Sequence, residues 1–139
     1  MKPAVNQIEV HTYFQQTDSV KFFQKMGMHV TCYAPIGASG YPAKSNDLKS
    51  YNAFEDPLVV ELSKKYNKSP AQIILNWHVQ RGTNPIPKTI KVARLGENLN
   101  CYDFKLTEEE MNRYSELDRG ARFFDPRFIP GYGNTPYYQ

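Results

Sequence analysis

Two basic and two polar residues lie close together in the second half of the 139-residue chain. Lys88 follows a short apolar stretch, and Arg94, Glu97 and Asn98 fall within Val92–Asn98, whose pattern predicts a short amphipathic helix. Arg94 and Asn98 are four residues apart and therefore share a helix face, with Glu97 beside them. Two cations near the beginning of a helix are a favourable place for a phosphate, because the helix N-terminus attracts anions. The same pattern, taken alone, also fits a solvated charged face.

A second group of candidates lies in or just after two predicted strands. Gln7 belongs to the strand predicted for Ala4–Val10, and its amide can both donate and accept hydrogen bonds. Tyr33 ends the strand predicted for His29–Tyr33, which stops at Pro35 and Gly37. Gln7 and Tyr33 also have ordinary structural interpretations, as a strand amide and as a Tyr packed beneath a loop.

Strands and helices alternate along the chain. A third strand is predicted around Pro85–Lys88, and Ser69-Pro70 with Gln72 has the spacing of a capping box at a helix start. That helix is predicted to run to Gln80. In the first helix Thr17 or Asp18 is predicted as the N-cap, and the helix runs through Met26 with Gly27 at the C′ position. The remaining helices are predicted over Pro57–Tyr66 and from a capping box at Thr107–Glu110 through Leu117. Repeated strand-to-helix units predict parallel strands and an α/β fold.

Composition excludes several classes of protein. The 17 basic and 14 acidic residues are spread along the chain without a cluster, which argues against a nucleic-acid partner. The apolar runs are too short for a membrane span, and residues 1–20 contain no signal-peptide core, so we expect a cytoplasmic protein. Two cysteines do not make a disulfide framework, and the separated histidines predict no metal site: His11, His29 and His78.

Five segments, in this order and at family-like spacing, resemble the aldo-keto reductase family: Gln7–His11, Thr31–Gly37, Ser69–Gln72, Ile86–Thr89, and Arg94 with Glu97 and Asn98. The resemblance runs from Lys2 to about Leu117 and implies a partial (β/α)8 TIM barrel. It covers three C-terminal β/α units, with strands six to eight, plus an extra helix and an irregular tail. Residues 1–118 would be the C-terminal portion of the barrel and 119–139 the C-terminal loop or tail, with no second domain.

The resemblance implies roles for the first group of residues at one end of an NADPH cofactor. Lys88 and Arg94 match the pair that binds the adenosine 2′-phosphate, which distinguishes NADPH from NADH. Thr89 belongs to the same motif, and Glu97 and Asn98 match residues that contact the adenine.

The second group matches residues at the other end of the cofactor. Gln7 matches the residue that hydrogen-bonds the nicotinamide carboxamide, and Tyr33 matches the ring on which the nicotinamide stacks. Ala34, Ile36 and Gly37 match the backbone that passes the pyrophosphate. The sequence departs from the family in having alanine at positions 34 and 38, where members often have serine.

The implied activity is NADPH-dependent reduction of aldehydes or ketones, but only the cofactor's side of the site is matched. The family's Tyr, Lys, Asp and His motifs come from earlier strands, and no position here matches them, so no catalytic residue is assigned. We therefore expect an incomplete polypeptide, from a longer reductase or a shortened gene, and Met1 favours a translated start. Its partners would be the cofactor and a small carbonyl substrate within a complete barrel.

An alternative from another class remains open. The chain would then be a degenerate reductase remnant that acts as a non-catalytic structural subunit. Its partner would be a protein that covers the exposed strand edges of the small sheet.

Overall fold

Three parallel strands and five helices make up the structure, a computed structural model that describes residues 1–37 and 51–124. Both strand pairs are parallel, and the strands lie in the order β1-β2-β3, as the repeated strand-to-helix units predict. In chain order the elements are β1 (Val5–Glu9), α1 (Thr17–Lys25), β2 (His29–Tyr33), α2 (Pro57–Tyr66), α3 (Pro70–Gln80), β3 (Thr83–Pro85), α4 (Val92–Leu99) and α5 (Glu108–Ser115).

The two faces of the sheet differ in burial. On β2, Val30 and Cys32 are fully buried, whereas Thr31 and Tyr33 on the other face are half-buried. Gln7 pairs with Thr31 and, because paired residues of parallel strands project to the same side, shares the more open face. The alternation along the strands therefore places Gln7 and Tyr33 on one face, as a functional surface requires.

The hydrophobic core centres on helix α3. Every residue from Gln72 to His78 is buried, and the Trp77 ring stacks on Tyr114 of α5 with a centroid separation of 4.7 Å. The Arg81 guanidinium lies 4.4 Å from the Trp77 ring centroid on the same helix end. Helix α3 thus contributes to the core Trp77, the largest of the fully buried side chains in the described ranges.

The capping box predicted for α3 is present. The Ser69 hydroxyl accepts a hydrogen bond from the Gln72 backbone N–H at 3.3 Å, and the Gln72 side chain accepts from the Ser69 N–H at 3.0 Å. The Gln72 amide nitrogen also donates to the Glu97 and Asn100 carbonyls, at 3.0 and 3.3 Å. One side chain thus stabilises the start of α3 and the end of α4.

The second predicted capping box, at Thr107 and Glu110, is also present, and its Glu110 carboxylate makes a partly buried ion pair as well. The Glu110 carboxylate accepts hydrogen bonds from Lys65 at 2.7 Å and Tyr66 at 2.6 Å on α2. Burial alone would raise the pKa of Glu110, but the hydrogen bonds from Lys65, Tyr66 and Thr107 outweigh it and lower the pKa to about 2. This carboxylate therefore joins α5 to α2.

Strand β3 lies two residues earlier than predicted, at Thr83–Pro85 rather than Pro85–Lys88. Thr83 is buried and pairs with Val30, and the ladder ends with the Ile86 N–H donating to the Cys32 carbonyl at 3.1 Å. Pro87 has no N–H to continue the ladder. The pairing with β2, rather than the apolar pattern, decides the register.

The predicted start of α1 is wrong in its cap. Neither Thr17 nor Asp18 is the N-cap; that residue is Gln16, in the left-handed region at φ 46°, with no side-chain cap hydrogen bond. Its amide instead donates to the Glu9 carbonyl. The predicted end is confirmed, since Gly27 follows the C-cap at φ 71°.

The last two helices differ slightly from their predicted ends. Helix α4 runs one residue further, to Leu99, and α5 ends at Ser115, although Leu117 still packs against the core. Residues 119–124 contain no helix or strand. The rest of the predicted tail and position 38 lie outside the described residues, and the division at residue 118 stays a prediction. No helix in the described ranges is long and apolar enough to cross a membrane.

Candidate functional site

A tight turn follows β2 at the carboxyl end of the sheet. Ala34 and Gly37 both have left-handed backbone conformations, at φ 51° and 84°, and the Gly37 N–H donates to the Ala34 carbonyl at 2.9 Å. A Cβ on Gly37 would meet no atom within 4 Å, so its backbone angle rather than crowding favours glycine there. The turn lies directly after the carboxyl end of β2, the end of parallel strands at which ligands of α/β folds bind.

His78 supports this turn from within the core. Its ring lies between two oxygens, with Nε2 3.2 Å from the Pro35 carbonyl and Nδ1 3.2 Å from the Thr83 hydroxyl. Because a carbonyl only accepts hydrogen bonds, Nε2 carries a hydrogen. Burial lowers the pKa of His78 to about 3, so the imidazole is neutral at physiological pH. His78 is therefore a buried residue that supports the turn after β2.

A small, open cleft lies beside the same turn. Ile36 and Gly37 line one part of it, and the His11 ring, whose Nδ1 has no hydrogen-bond partner among the described residues, lines another. The complete lining is His11, Thr12, Tyr13, Ile36, Gly37, Tyr51, Asn52, Ala53 and Phe123. The cleft thus brings the turn after β2 together with the segment after β1.

Gln7 and Tyr33 lie on the more open face of the sheet, and neither of them lines this cleft. The Gln7 side chain is exposed, and Tyr33 is half-buried at the end of β2. The Tyr33 ring meets the Phe124 ring edge-on, with centroids 5.6 Å apart and an interplanar angle of 78°. The structure therefore places an amide and an aromatic ring on one surface.

The basic cluster lies beyond β3, at the beginning of α4. Thr89 shapes this connection, because its hydroxyl accepts a hydrogen bond from the Lys91 N–H at 3.1 Å just before the helix begins at Val92. Lys88 and Arg94 are both exposed, and no ion pair within the described ranges involves either of them. Their charges are therefore accessible to an anion from solvent.

Glu97 and Asn98 follow on the same helix and are half-buried. The Glu97 backbone is held by the side chain of Gln72, as described above. The predicted residues thus form two groups: Gln7, Tyr33, Ala34, Ile36 and Gly37 in β1 and in and after β2, and Lys88, Thr89, Arg94, Glu97 and Asn98 between β3 and the end of α4. Strands β2 and β3 are neighbours in the sheet, with Thr31 paired to Asn84.

Sequence reasoning missed Glu9. Its carboxylate is buried at the end of β1 and accepts hydrogen bonds from the backbone N–H groups of Phe123 and Phe124. The available signal was an acidic residue between Ile8 and Val10 in a strand, where a charge needs partners. Those partners are more than a hundred positions away, so the sequence pattern does not reveal them.

The chemistry of these groups fits a phosphorylated dinucleotide such as NADPH. Lys88 and Arg94 supply positive charge near the beginning of a helix, which suits a phosphate. The left-handed turn at Gly37 supplies backbone without a side chain, and Tyr33 supplies an aromatic surface for a flat ring.

Comparison with known proteins agrees with this chemistry. The aldo/keto reductase family model matches residues 1–119. The chain is 41% identical to aldo-keto reductase family 1 member A1 of Gallus gallus over 91% of this chain and 38% of that protein. It is 43% identical to the NADP-dependent D-sorbitol-6-phosphate dehydrogenase of Malus domestica over 88% of this chain and 39% of that protein.

A solved structure shows the same fold. The crystal structure of an aldo-keto reductase of the silkworm Bombyx mori superposes with a TM-score of 0.83 at 32% identity, covering 98% of this chain and 41% of that one. The chain therefore spans about two fifths of the length of these relatives, and its strands and helices form an α/β partial TIM barrel. The matched segments and the fold lead to one assignment: the chain belongs to the aldo/keto reductase family.

Proposed function

We propose that this chain provides the NADPH-binding side of a site for the reduction of aldehydes or ketones. The observation that carries the proposal is the pair of exposed cations, Lys88 and Arg94, around the beginning of α4. A 2′-phosphate is the group by which NADPH differs from NADH, and two cations near a helix N-terminus would bind it. The names of the plant relative and of an Aspergillus niger relative, a D-xylose reductase, include NADP-dependent or NAD(P)H-dependent activity, which supports this choice.

The remaining residues would bind other parts of the cofactor. Gln7 would hydrogen-bond the nicotinamide carboxamide, and Tyr33 would stack on the nicotinamide ring. The turn through Ala34, Ile36 and Gly37 would pass the pyrophosphate. Thr89 would shape the connection to α4, and Glu97 and Asn98 would contact the adenine.

The nicotinamide, when bound, supplies a hydride to the carbonyl carbon of the substrate. Tyr33 and Gln7 would orient the ring, and the cluster around α4 would hold the distant end of the cofactor. We assign no proton donor within this chain; the proposal places that residue in the family's earlier strands.

The test is a fluorescence titration of the full chain with NADPH and with NADH. We expect NADPH to bind more tightly, and Arg94→Ala to weaken NADPH by roughly tenfold to a hundredfold, as loss of a charged hydrogen bond of about 1.5–3 kcal/mol would do. Lys88→Ala should act in the same direction. NADH, which lacks the 2′-phosphate, should be little affected by either substitution.

Lys64→Ala removes an exposed lysine on α2 and is the matched control, for which unchanged binding is expected. Equal affinity of the wild-type chain for NADPH and NADH would contradict the role assigned to Lys88 and Arg94. Absence of binding by either cofactor would contradict the proposed function itself.

The structural-subunit alternative is favoured by a different observation. Helix α4 and its flanks carry exposed apolar side chains, and β1 and β3 each pair on one side only within the described ranges. These side chains are Ile86, Ile90, Val92, Leu95 and Leu99. A protein that adds a strand to one edge and covers this surface would be the partner. Migration of the chain as a free monomer in size-exclusion chromatography at physiological salt would count against the structural-subunit alternative.

A further inference from the structure

Glu9, near the beginning of the chain, binds the backbone of the last two residues that the structure describes. Its carboxylate is fully buried, and Oε1 accepts a hydrogen bond from the Phe123 N–H at 2.7 Å. The Phe124 N–H lies 3.2 Å from Oε2 and 3.4 Å from Oε1. Removing a carboxylate from water is costly unless hydrogen bonds replace the lost solvation, and these backbone groups supply such bonds.

His11 and Gln16 hold Glu9 in place. His11 Nε2 lies 3.1 Å from Oε1, and the His11 ring is 4.4 Å from the Phe123 ring. The Gln16 amide donates to the Glu9 carbonyl. Residues that follow β1 directly thus contact both the carboxylate and the backbone carbonyl of Glu9.

The segment that reaches Glu9 is anchored at a second point. The Arg119 and Ala121 N–H groups both donate to the Tyr13 carbonyl, each at 3.0 Å. Residues 119–124 therefore follow the segment after β1 and end at the Glu9 carboxylate. This path brings the Phe124 ring to within 5.6 Å of Tyr33, the residue that pairs with Glu9 across β1 and β2.

We propose that Glu9 is a positioning residue for the nicotinamide end of the cofactor. By fixing the Phe123 and Phe124 backbone, it sets the place of the Phe124 ring against Tyr33 and so defines the surface on which the nicotinamide stacks. The proposal rests on the proposed function, in which Tyr33 is that surface. It differs from a purely structural role because it predicts an effect on one end of the cofactor only.

Two ligands separate the ends of the cofactor. NADPH occupies both groups of residues, whereas adenosine 2′,5′-bisphosphate carries the adenine and the 2′-phosphate but no nicotinamide. A general loss of folded structure would weaken the binding of both ligands, whereas a change at Tyr33 would weaken the binding of NADPH alone.

The experiment compares the full wild-type chain with Glu9→Gln. Glutamine has nearly the same shape, but its NH₂ group cannot accept hydrogen bonds from the backbone N–H groups that it would face. We expect NADPH affinity to fall about tenfold, the effect of losing roughly 1.4 kcal/mol, with adenosine 2′,5′-bisphosphate affinity unchanged. Hydrogen exchange at the Phe123 and Phe124 amides should become faster.

Two further variants serve as comparisons. Phe124→Ala keeps the backbone N–H groups that Glu9 binds but removes the ring. NADPH affinity should therefore fall, while the Phe123 amide stays protected from hydrogen exchange. If Glu9→Gln does not fold, this variant decides. Glu110→Gln changes another buried carboxylate, away from Tyr33, and should lower stability without changing the ratio of the two affinities.

Three results would overturn the proposal. The first is an equal loss of both ligands in Glu9→Gln, which would indicate a general structural role. The second is unchanged NADPH affinity in Glu9→Gln or in Phe124→Ala. The third is a wild-type chain that binds NADPH no more tightly than it binds adenosine 2′,5′-bisphosphate. If the wild-type chain binds neither ligand, the proposed function fails and the positioning role with it, while hydrogen exchange still decides whether Glu9 docks the segment.

Discussion

Buried polar residues hold the backbone of connecting segments in place at the ends of the strands. His78 connects the Pro35 carbonyl to Thr83 beneath the turn after β2, and Glu9 binds the backbone at Phe123 and Phe124. The residues proposed to meet the ligand, by contrast, are exposed or half-buried. Residue type and spacing indicated Lys88 and Arg94, because their chemistry is local. They did not indicate the partners of Glu9 or His78, which depend on distant backbone.

His78 leads to a prediction about pH. Burial lowers its pKa from 6.5 to about 3, so between these values the unfolded chain binds a proton that the folded chain does not. The free energy of unfolding should therefore fall as pH decreases from 6.5 toward 3, by at most about 1.4 kcal/mol per pH unit from this residue. Urea unfolding of the wild type and of His78→Gln, between about pH 7 and pH 4, measures the difference.

The difference between the two proteins should shrink as the pH is lowered, because the glutamine cannot take up a proton. His29→Gln removes an exposed imidazole on β2 and is the matched control, for which the wild-type slope is expected. Parallel pH profiles for the wild type and His78→Gln would contradict the buried neutral state of His78.

At the scale of elements, the sequence predicted correctly the two helix starts with capping boxes and also the starts of α2 at Pro57 and of α4 at Val92. Ser69 with Gln72 and Thr107 with Glu110 form the expected reciprocal hydrogen bonds. Helix α1 has no such signal, and its N-cap at Gln16 was not predicted. The short strand β3 was misplaced, because three residues carry little periodicity and pairing with Val30 and Cys32 sets the register.

The Ser69 cap gives a prediction for helix α3. Ser69→Ala removes the acceptor for the Gln72 N–H, and the free energy of unfolding should fall by about 1 kcal/mol. Ser115→Ala is the control, because that exposed hydroxyl only donates to the Met111 carbonyl within α5 and should change stability by less than about 0.5 kcal/mol. Equal losses in the two variants, measured by urea unfolding, would show that the cap does not contribute as proposed.

At the scale of the whole molecule, one core joins the elements. Buried side chains from α1, α2, α3, α5 and β2 belong to one cluster that includes Trp77, and Ala121 extends this core into the segment after α5. The core includes Val20 of α1, Val30 and Cys32 of β2, Val59 and Leu62 of α2, Ile73 and Ile74 of α3, and Tyr114 of α5. Contacts of this kind, shared by several elements, favour cooperative unfolding.

Trp77 reports on this core, because it is the single tryptophan of the chain and is 1% exposed. We expect its fluorescence and the far-ultraviolet circular dichroism to change in one coincident transition during urea unfolding, since helices and core would be lost together. Transitions that do not coincide would show that part of the helical structure is stable without the core around Trp77.

The sequence alone determined the α/β class, the order of strands and helices and most of the helix starts, because these depend on periodicity and on interactions between residues a few positions apart. The family was predicted from the resemblance of five segments to aldo-keto reductase motifs, and the cofactor roles of residues in those segments remain predictions from the same resemblance. Only the tertiary structure decided the register of β3, the Gln16 cap, the support of the turn by His78 and the docking of residues 119–124 at Glu9. Each of these depends on backbone groups from separate parts of the chain coming within hydrogen-bonding distance, and local sequence patterns do not encode such meetings.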